Sequence, residues 1–252
     1  MKPNIPNLVQ ASSNEELAQL QSEAIRALGR RLGRPLSILE AGCGRRWLID
    51  LTGLSYTLTG VDLDPIALEL RKTKTRDLDV GICGDICSLE LPEESVDVVY
   101  SSYVLEHVPR ADVALKNFVK WLRPGGLLIL RLPERNTVRG FFTRVLPHRL
   151  HIWYYRYICG VRWAGQPGHG PYPTSYHPVI GRERLCVFLM ERGVQGLSCY
   201  GDGFNKFRSE TSRRVVSIAL NAVSKVVSML SFGQLNGDYT EVLYIGTKSV
   251  AN

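Results

Sequence analysis

Three carboxylates in this 252-residue chain each close a short apolar run: Glu40, Asp62 and Asp85. Glu40 stands in Leu39-Glu40-Ala41-Gly42-Cys43-Gly44, where two glycines follow the run directly. Glycine carries no Cβ, so the backbone there turns tightly and approaches a ligand closely. Asp62 lies 22 residues beyond Glu40, where an acid can accept both hydroxyls of a ribose. Asp85 stands in Gly84-Asp85-Ile86, where it can accept from an exocyclic amine while Ile86 covers a ring face. Together the three acids and the glycine loop describe an acidic crevice for a cationic ligand that carries adenosine. A pyrophosphate fits less well. The dinucleotide fingerprint G-x-G-x-x-G is missing, because Gly44 is followed by Arg45-Arg46-Trp47-Leu48, and Glu40 would repel the phosphates.

The elements that must hold these groups alternate. Residues 37–41, 56–63, 80–83, 95–101 and 127–132 read as strands, as do 197–200 and 240–246 later in the chain. Helices are expected at 45–51, at 65–74 with Pro65 in the first turn, at 113–122 and at 182–192. Alternation of this kind gives a parallel sheet with helices on both faces, and ligands of such sheets bind at the carboxyl ends of the strands. The chain starts with a helix: Ser13-Asn14-Glu15-Glu16 is a capping box, Leu17, Leu20, Ala24 and Leu28 follow at helical spacing, and Gly33 and Pro35 end the run.

The sequence also resembles a family. The set E-A-G-C-G, G-V-D, G-D-I, S-V-D-V-V-Y-S-S-Y-V-L-E-H-V and L-R-P-G-G is similar, in order, to that of the class I S-adenosylmethionine-dependent methyltransferases, in the small-molecule branch with the L-E-H-V motif. The likeness is strong over 37–132 and weak elsewhere. It implies a Rossmann-like three-layer α/β sandwich with a seven-stranded, mostly parallel sheet, whose last strand is antiparallel and inserted between the fifth and sixth. It implies S-adenosylmethionine as cofactor, with Gly42 and Gly44 along its methionine part and Glu40 near the ammonium. Asp62 would hold the ribose, Leu63 would lie against the adenine, and Asp85 and Ile86 would hold the adenine. Ser101 and Ser102 would face the methionine end. Where many relatives have a third glycine, this chain has Arg45 or Arg46, which pairs with the cofactor carboxylate or points to solvent. His107, in Leu105-Glu106-His107-Val108, is the candidate general base if the acceptor must lose a proton.

The remaining signals concern the acceptor. Residues 1–36 form an N-terminal helical segment, and 37–252 a methyltransferase domain with an insertion at 134–180 and a helical segment at 204–238. Between 131 and 163 there are seven arginines and one acid, Glu134, so this window carries +6 of the net charge of +7. It is rich in aromatics and reads as a helical lid over the acceptor, with a headgroup interface or single-stranded nucleic acid as alternatives. The helix expected at 212–230 has a wide apolar stripe that needs a cover: the domain itself, a second subunit of a homodimer, or a bilayer surface. No N-P-P-Y tetrad follows the fourth strand, where Ser101-Ser102-Tyr103-Val104 stands, which disfavours nucleic-acid methylation. The expected acceptor is a small apolar or amphiphilic molecule (a lipid, glycan or secondary metabolite), methylated at oxygen. A catalytically silent cofactor-binding homologue is the remaining alternative. Six cysteines without C-x-x-C spacing read as reduced thiols rather than metal ligands. With 44% hydrophobic residues, no apolar run of membrane-spanning length and no signal-peptide pattern, the chain is expected in the cytoplasm, with a peripheral membrane contact as a variant of that expectation.

Overall fold

A computed structural model describes residues 5–166, 169–202, 222–232 and 234–250. Its centre is an eight-stranded sheet: β1 (Leu8–Gln10), β2 (Leu36–Ala41), β3 (Tyr56–Asp62), β4 (Val80–Cys83), β5 (Val96–Ser102), β6 (Leu122–Pro133), β7 (Val194–Asp202) and β8 (Glu241–Lys248). The spatial order is β1-β7-β8-β6-β5-β2-β3-β4. Only β8 runs antiparallel to its neighbours, and it lies between β6 and β7, as expected. Seven strands are expected from the sequence. The eighth is β1, three residues long, which pairs in parallel with β7 at the edge.

The sheet reverses its winding at β2, which has β3 on one side and β5 on the other. This is the switch point where open α/β sheets bind ligands. The strands that meet there are buried on both faces: Ile38, Val98 and Ile129 belong to one core layer, and Leu39, Val99 and Leu128 to the other. α3 (Ala111–Trp121) and α6 (Arg182–Met190) cover one layer, through Phe118, Trp121, Leu185 and Leu189. α1 (Asn14–Leu32) covers the other, through Leu17, Ile25 and Leu28.

α1 forms as its capping residues dictate, with one shift. Ser13 Oγ accepts from the Glu16 N–H at 3.1 Å, but the Glu16 carboxylate accepts from the backbone and hydroxyl of Ser12, one residue earlier than a capping box requires. Gly33 closes the helix at φ +62°. No helix forms at 45–51, against expectation. Trp47, Ile49 and Leu51 point inward at every second residue, a spacing that suits extended chain. Arg26 of α1 holds the loop by donating to the carbonyls of Asp50 and Thr52. The expected 65–74 helix is α2 (Pro65–Leu70), capped by Asp64, and it continues as a π-helical turn, Arg71–Thr75.

The basic window folds as α4 (Val138–Val145), α5 (His148–Trp153) and a second π-helical turn, Tyr154–Ile158. Of the expected 212–230 helix, residues 222–230 are helical and the rest lie outside the described residues. In that helix the two serines face the protein, while Lys225 is exposed. Ser224 and Ser228 donate to the carbonyls of Gly237 and Leu235, while Val223, Val226, Met229 and Leu230 face outward.

Candidate active site

The glycine loop after β2 is held from behind and open in front. The N–H groups of Gly42 and Cys43 both donate to the Val61 carbonyl, at 2.8 and 3.0 Å. Gly42 has φ +74°, and a Cβ there would stand 2.2 Å from Val104 Cγ2, so the position demands glycine twice over. Gly44 also has a positive φ, +53°, but no atom lies within 4 Å of where its Cβ would be. A hollow therefore begins at Gly44.

Asp62 borders it, and Asp85 stands at the end of β4, beyond β3. Asp62 Oδ2 accepts the Gly44 N–H at 2.7 Å, and Oδ1 accepts the Asp64 N–H at 2.9 Å. Each oxygen keeps a lone pair for a further donor. Asp85 is exposed at the end of β4. Its Oδ1 accepts the Cys87 N–H at 2.8 Å, and its loop is fixed by Asn117 of α3, which donates to the Ile86 and Cys87 carbonyls. Ile86 itself is buried in the core. Leu63, between the two acids in sequence, is 72% exposed, an apolar surface at the mouth of the crevice.

Glu40 is placed differently from the other two acids. It is buried, and its Oε2 accepts from Arg71 Nη1 at 2.5 Å. The same nitrogen donates to the Cys43 carbonyl, and Arg71 Nε donates to Asp77, whose other oxygen accepts the Trp47 N–H. Arg71 is fully buried and braces the glycine loop and the 45–51 segment together. Burial pushes the Glu40 carboxyl up, and the Arg71 guanidinium opposes that rise without cancelling it. Because a guanidinium keeps its proton, it holds Glu40 as its counter-ion. Arg45 lies 3.8 Å from Asp64, and Arg46 is exposed. Ser101 is buried and donates to the Ala41 carbonyl at 2.9 Å, which ties β5 to β2 at the switch point.

Beyond β5 the chain turns sharply. Tyr103 has φ +57°, its N–H donates to the Arg131 carbonyl, and Val104 packs against Gly42. His107 follows in a 3₁₀ turn, Leu105–His107. Its Nδ1 lies 2.7 Å from the Pro173 carbonyl, which can only accept, so Nδ1 carries the hydrogen and Nε2 of the neutral ring has the lone pair. Burial pushes the His107 pKa below its ordinary value, which keeps the ring neutral at pH 7. Glu106 receives the insertion: its carbonyl accepts the N–H groups of Ser175 and Tyr176. Tyr172 packs edge-on to the His107 ring. The insertion thus lies over the turn that carries His107.

A buried acid, Glu134, anchors this insertion, a role its sequence context does not announce. Glu134 Oε1 accepts the Asn136 N–H and Oε2 the Arg182 N–H, so a single carboxylate ties both ends of the excursion from the sheet.

These groups fit one kind of ligand. Free acceptors on Asp62 and Asp85 suit hydroxyl and amine donors, exposed Leu63 suits a flat ring, and the hollow at Gly44 admits what a side chain would fill. The match to known proteins agrees, since residues 39–130 fit the family model described as "Methyltransferase domain". This segment matches a methyltransferase domain. Its cofactor is S-adenosylmethionine, whose adenosine part fits the donors and acceptors just described. Over 101 residues the chain is 32% identical to a Mycolicibacterium smegmatis protein named "Probable S-adenosylmethionine-dependent methyltransferase", covering 40% of this chain and 39% of that one. Over 174 residues it is 29% identical to a ubiquinone biosynthesis O-methyltransferase of a Caulobacter species, covering 61% and 68%. The chain thus spans about two fifths of the first relative and about two thirds of the second. Its fold is shared with a SAM-dependent methyltransferase of Archaeoglobus fulgidus, at a TM-score of 0.53 and 15% identity, covering 92% of this chain and 94% of that one.

Proposed function

We propose that the chain transfers a methyl group from S-adenosylmethionine to an oxygen of a small apolar or amphiphilic acceptor, such as a lipid, glycan or secondary metabolite. S-adenosylmethionine supplies the methyl group already activated on a sulfonium, so the protein's work is to position the acceptor and manage its proton. In this reading Gly42 and Gly44 line the methionine part and Asp62 holds the ribose hydroxyls. Leu63, Asp85 and Ile86 form the adenine end. Glu40 serves the ammonium with Oε1, the oxygen that Arg71 leaves, and Ser101 sets the spacing of β2 and β5 beneath it. The small-molecule branch is supported by Leu105-Glu106-His107-Val108, and methylation at oxygen by the name of the Caulobacter relative.

One observation carries the choice of an acceptor that must lose a proton. His107 has its pKa pushed below the ordinary value by burial, its tautomer is fixed by the Pro173 carbonyl of the insertion, and its Nε2 lies 3.8 Å from the Glu106 carboxylate. That is the arrangement of a general base. Acid should abolish it: kcat/KM should fall as pH drops through a value below 6.5, the side to which burial shifts this ring. Methyl-labelled cofactor incubated with cell extract, then partitioned between organic and aqueous phases, tests the reading. Label in the organic phase, reduced roughly 10²–10⁴-fold in rate by His107→Ala, is expected. Label confined to nucleic acid would refute the acceptor class, and an unchanged rate in His107→Ala would remove the base.

A further inference from the structure

The insertion and the 222–232 segment leave apolar side chains uncovered to an unusual degree. Along α4, α5 and the turn after them, Val145, Leu146, Leu150, Trp153, Tyr157 and Trp163 are all exposed. On the second segment Val226, Met229, Leu230 and Phe232 are exposed, the last at 94%. The segments are joined: the Asn236 N–H donates to the Asn136 carbonyl, and the Val138 N–H donates to the Asn236 carbonyl. The serines of 222–230 bond inward to the chain's own carbonyls, so the apolar side chains point outward, with the exposed Lys225 among them. This arrangement inverts that of an ordinary surface helix.

Charge selects the partner. From 135 to 181 the chain has six arginines and no Asp, Glu or Lys. Arg144, Arg149, Arg156 and Arg162 are exposed among the apolar residues, and among the described residues none of them has a carboxylate within 4 Å. Guanidiniums without a carboxylate partner, two of them donating through Nε to the Gly140 and Ala164 carbonyls, are mixed with tryptophan and tyrosine and match the boundary between headgroups and acyl chains. Single-stranded nucleic acid would need stacking faces, yet much of the exposed set is aliphatic and offers none. Among the described residues no helix is long and apolar enough to cross a membrane, so the contact is with a surface. We propose that this face docks on an anionic lipid bilayer, with the arginines on the headgroups and the aliphatic and aromatic side chains beneath them. The proposal stands on this surface alone and does not require the methyl-transfer reading.

Sedimentation of the full chain with vesicles tests it. Vesicles of phosphatidylcholine and phosphatidylglycerol in equal parts should retain the chain at low salt, and phosphatidylcholine alone should retain it at least about tenfold less. Salt of about 1 M, where screening acts over roughly 3 Å, should weaken the binding strongly. Leu150→Glu with Trp153→Glu should lower binding by about tenfold or more, and so should Leu230→Glu with Phe232→Glu on the other segment. All four side chains are exposed, so an unchanged unfolding temperature separates lost docking from lost folding. Arg149→Glu with Arg162→Glu should remove the preference for phosphatidylglycerol. Vesicle binding that these variants leave unchanged would overturn the proposal, as would retention on single-stranded RNA without retention on vesicles.

Discussion

Gly42 and Gly44 share a loop and a left-handed backbone, yet alanine should act differently at each. At Gly42 the new Cβ would meet Val104 Cγ2 at 2.2 Å and Cγ1 at 2.7 Å. The left-handed backbone costs a non-glycine residue roughly 1–2 kcal/mol, and forcing a methyl into packed side chains adds about 1–3 kcal/mol. Gly42→Ala should therefore lose about 2–5 kcal/mol, or roughly 4–20 °C of unfolding temperature at this chain length. At Gly44 the new methyl meets nothing, so only the backbone penalty of roughly 1–2 kcal/mol remains. Its Cβ, however, enters the hollow assigned to the cofactor. Thermal unfolding with and without S-adenosylhomocysteine reads both effects. At a hundred times its Kd the ligand adds about 2.7 kcal/mol to the wild type. Gly44→Ala should melt within a few degrees of the wild type and lose most of that ligand-induced rise. A full rise in Gly44→Ala would mean that the hollow is not the cofactor site.

Further outcomes follow from the buried charges. Arg71→Met strands the Glu40 carboxylate and should cost about 3–5 kcal/mol, whereas adding Glu40→Gln should recover much of the loss, a coupling that a double-mutant cycle by denaturant unfolding measures. Glu134→Ala removes the charged acceptor of the Asn136 and Arg182 N–H groups and should cost about 1.5–3 kcal/mol; limited proteolysis should then cut within 135–181 before the sheet opens. At the opposite end of the sheet, Asp97 is buried, which pushes its carboxyl up, but hydrogen bonds from Arg34, the Ser37 N–H and Arg123 hold it down at about 2. A depressed acid stabilises the fold above its unfolded value near 3.8 and loses that contribution as pH falls toward 2. The loss is about 2 kcal/mol at most, since both arginines are partly exposed, and Asp97→Asn should flatten acid unfolding in that window.

The sheet was legible because its strands are short, largely apolar runs, most of them closed by a glycine or an acid that can sit at a strand end. The place of β8 followed from the family resemblance, and the pairing confirms it. β1 was not legible, since three residues carry no period. The 45–51 loop misled because βαβ units ordinarily place a helix there; the alternation of Trp47, Ile49 and Leu51 was the contrary sign. In the site, Asp62 and Asp85 announced themselves through their strand ends, whereas Arg71 did not. A charged residue is expected outside, but Arg71 follows Ala67 and Leu68 at four- and three-residue spacing, on the buried face of the helix, and that was its signal. Glu134 gave no such sign, because its partners are backbone N–H groups at 136 and 182, which no side-chain pattern encodes.

The central claim is that the carboxyl ends of β2, β3 and β4 hold S-adenosylmethionine, with Asp62 on its ribose. Isothermal titration of the wild type and Asp62→Asn with S-adenosylmethionine tests it most directly. A single saturable site in the wild type, weakened tenfold or more in Asp62→Asn, is the predicted result, since hydrogen bonds to a charged group contribute about 1.5–3 kcal/mol. A wild type that takes up no cofactor, or an Asp62→Asn variant that binds as tightly, would contradict it.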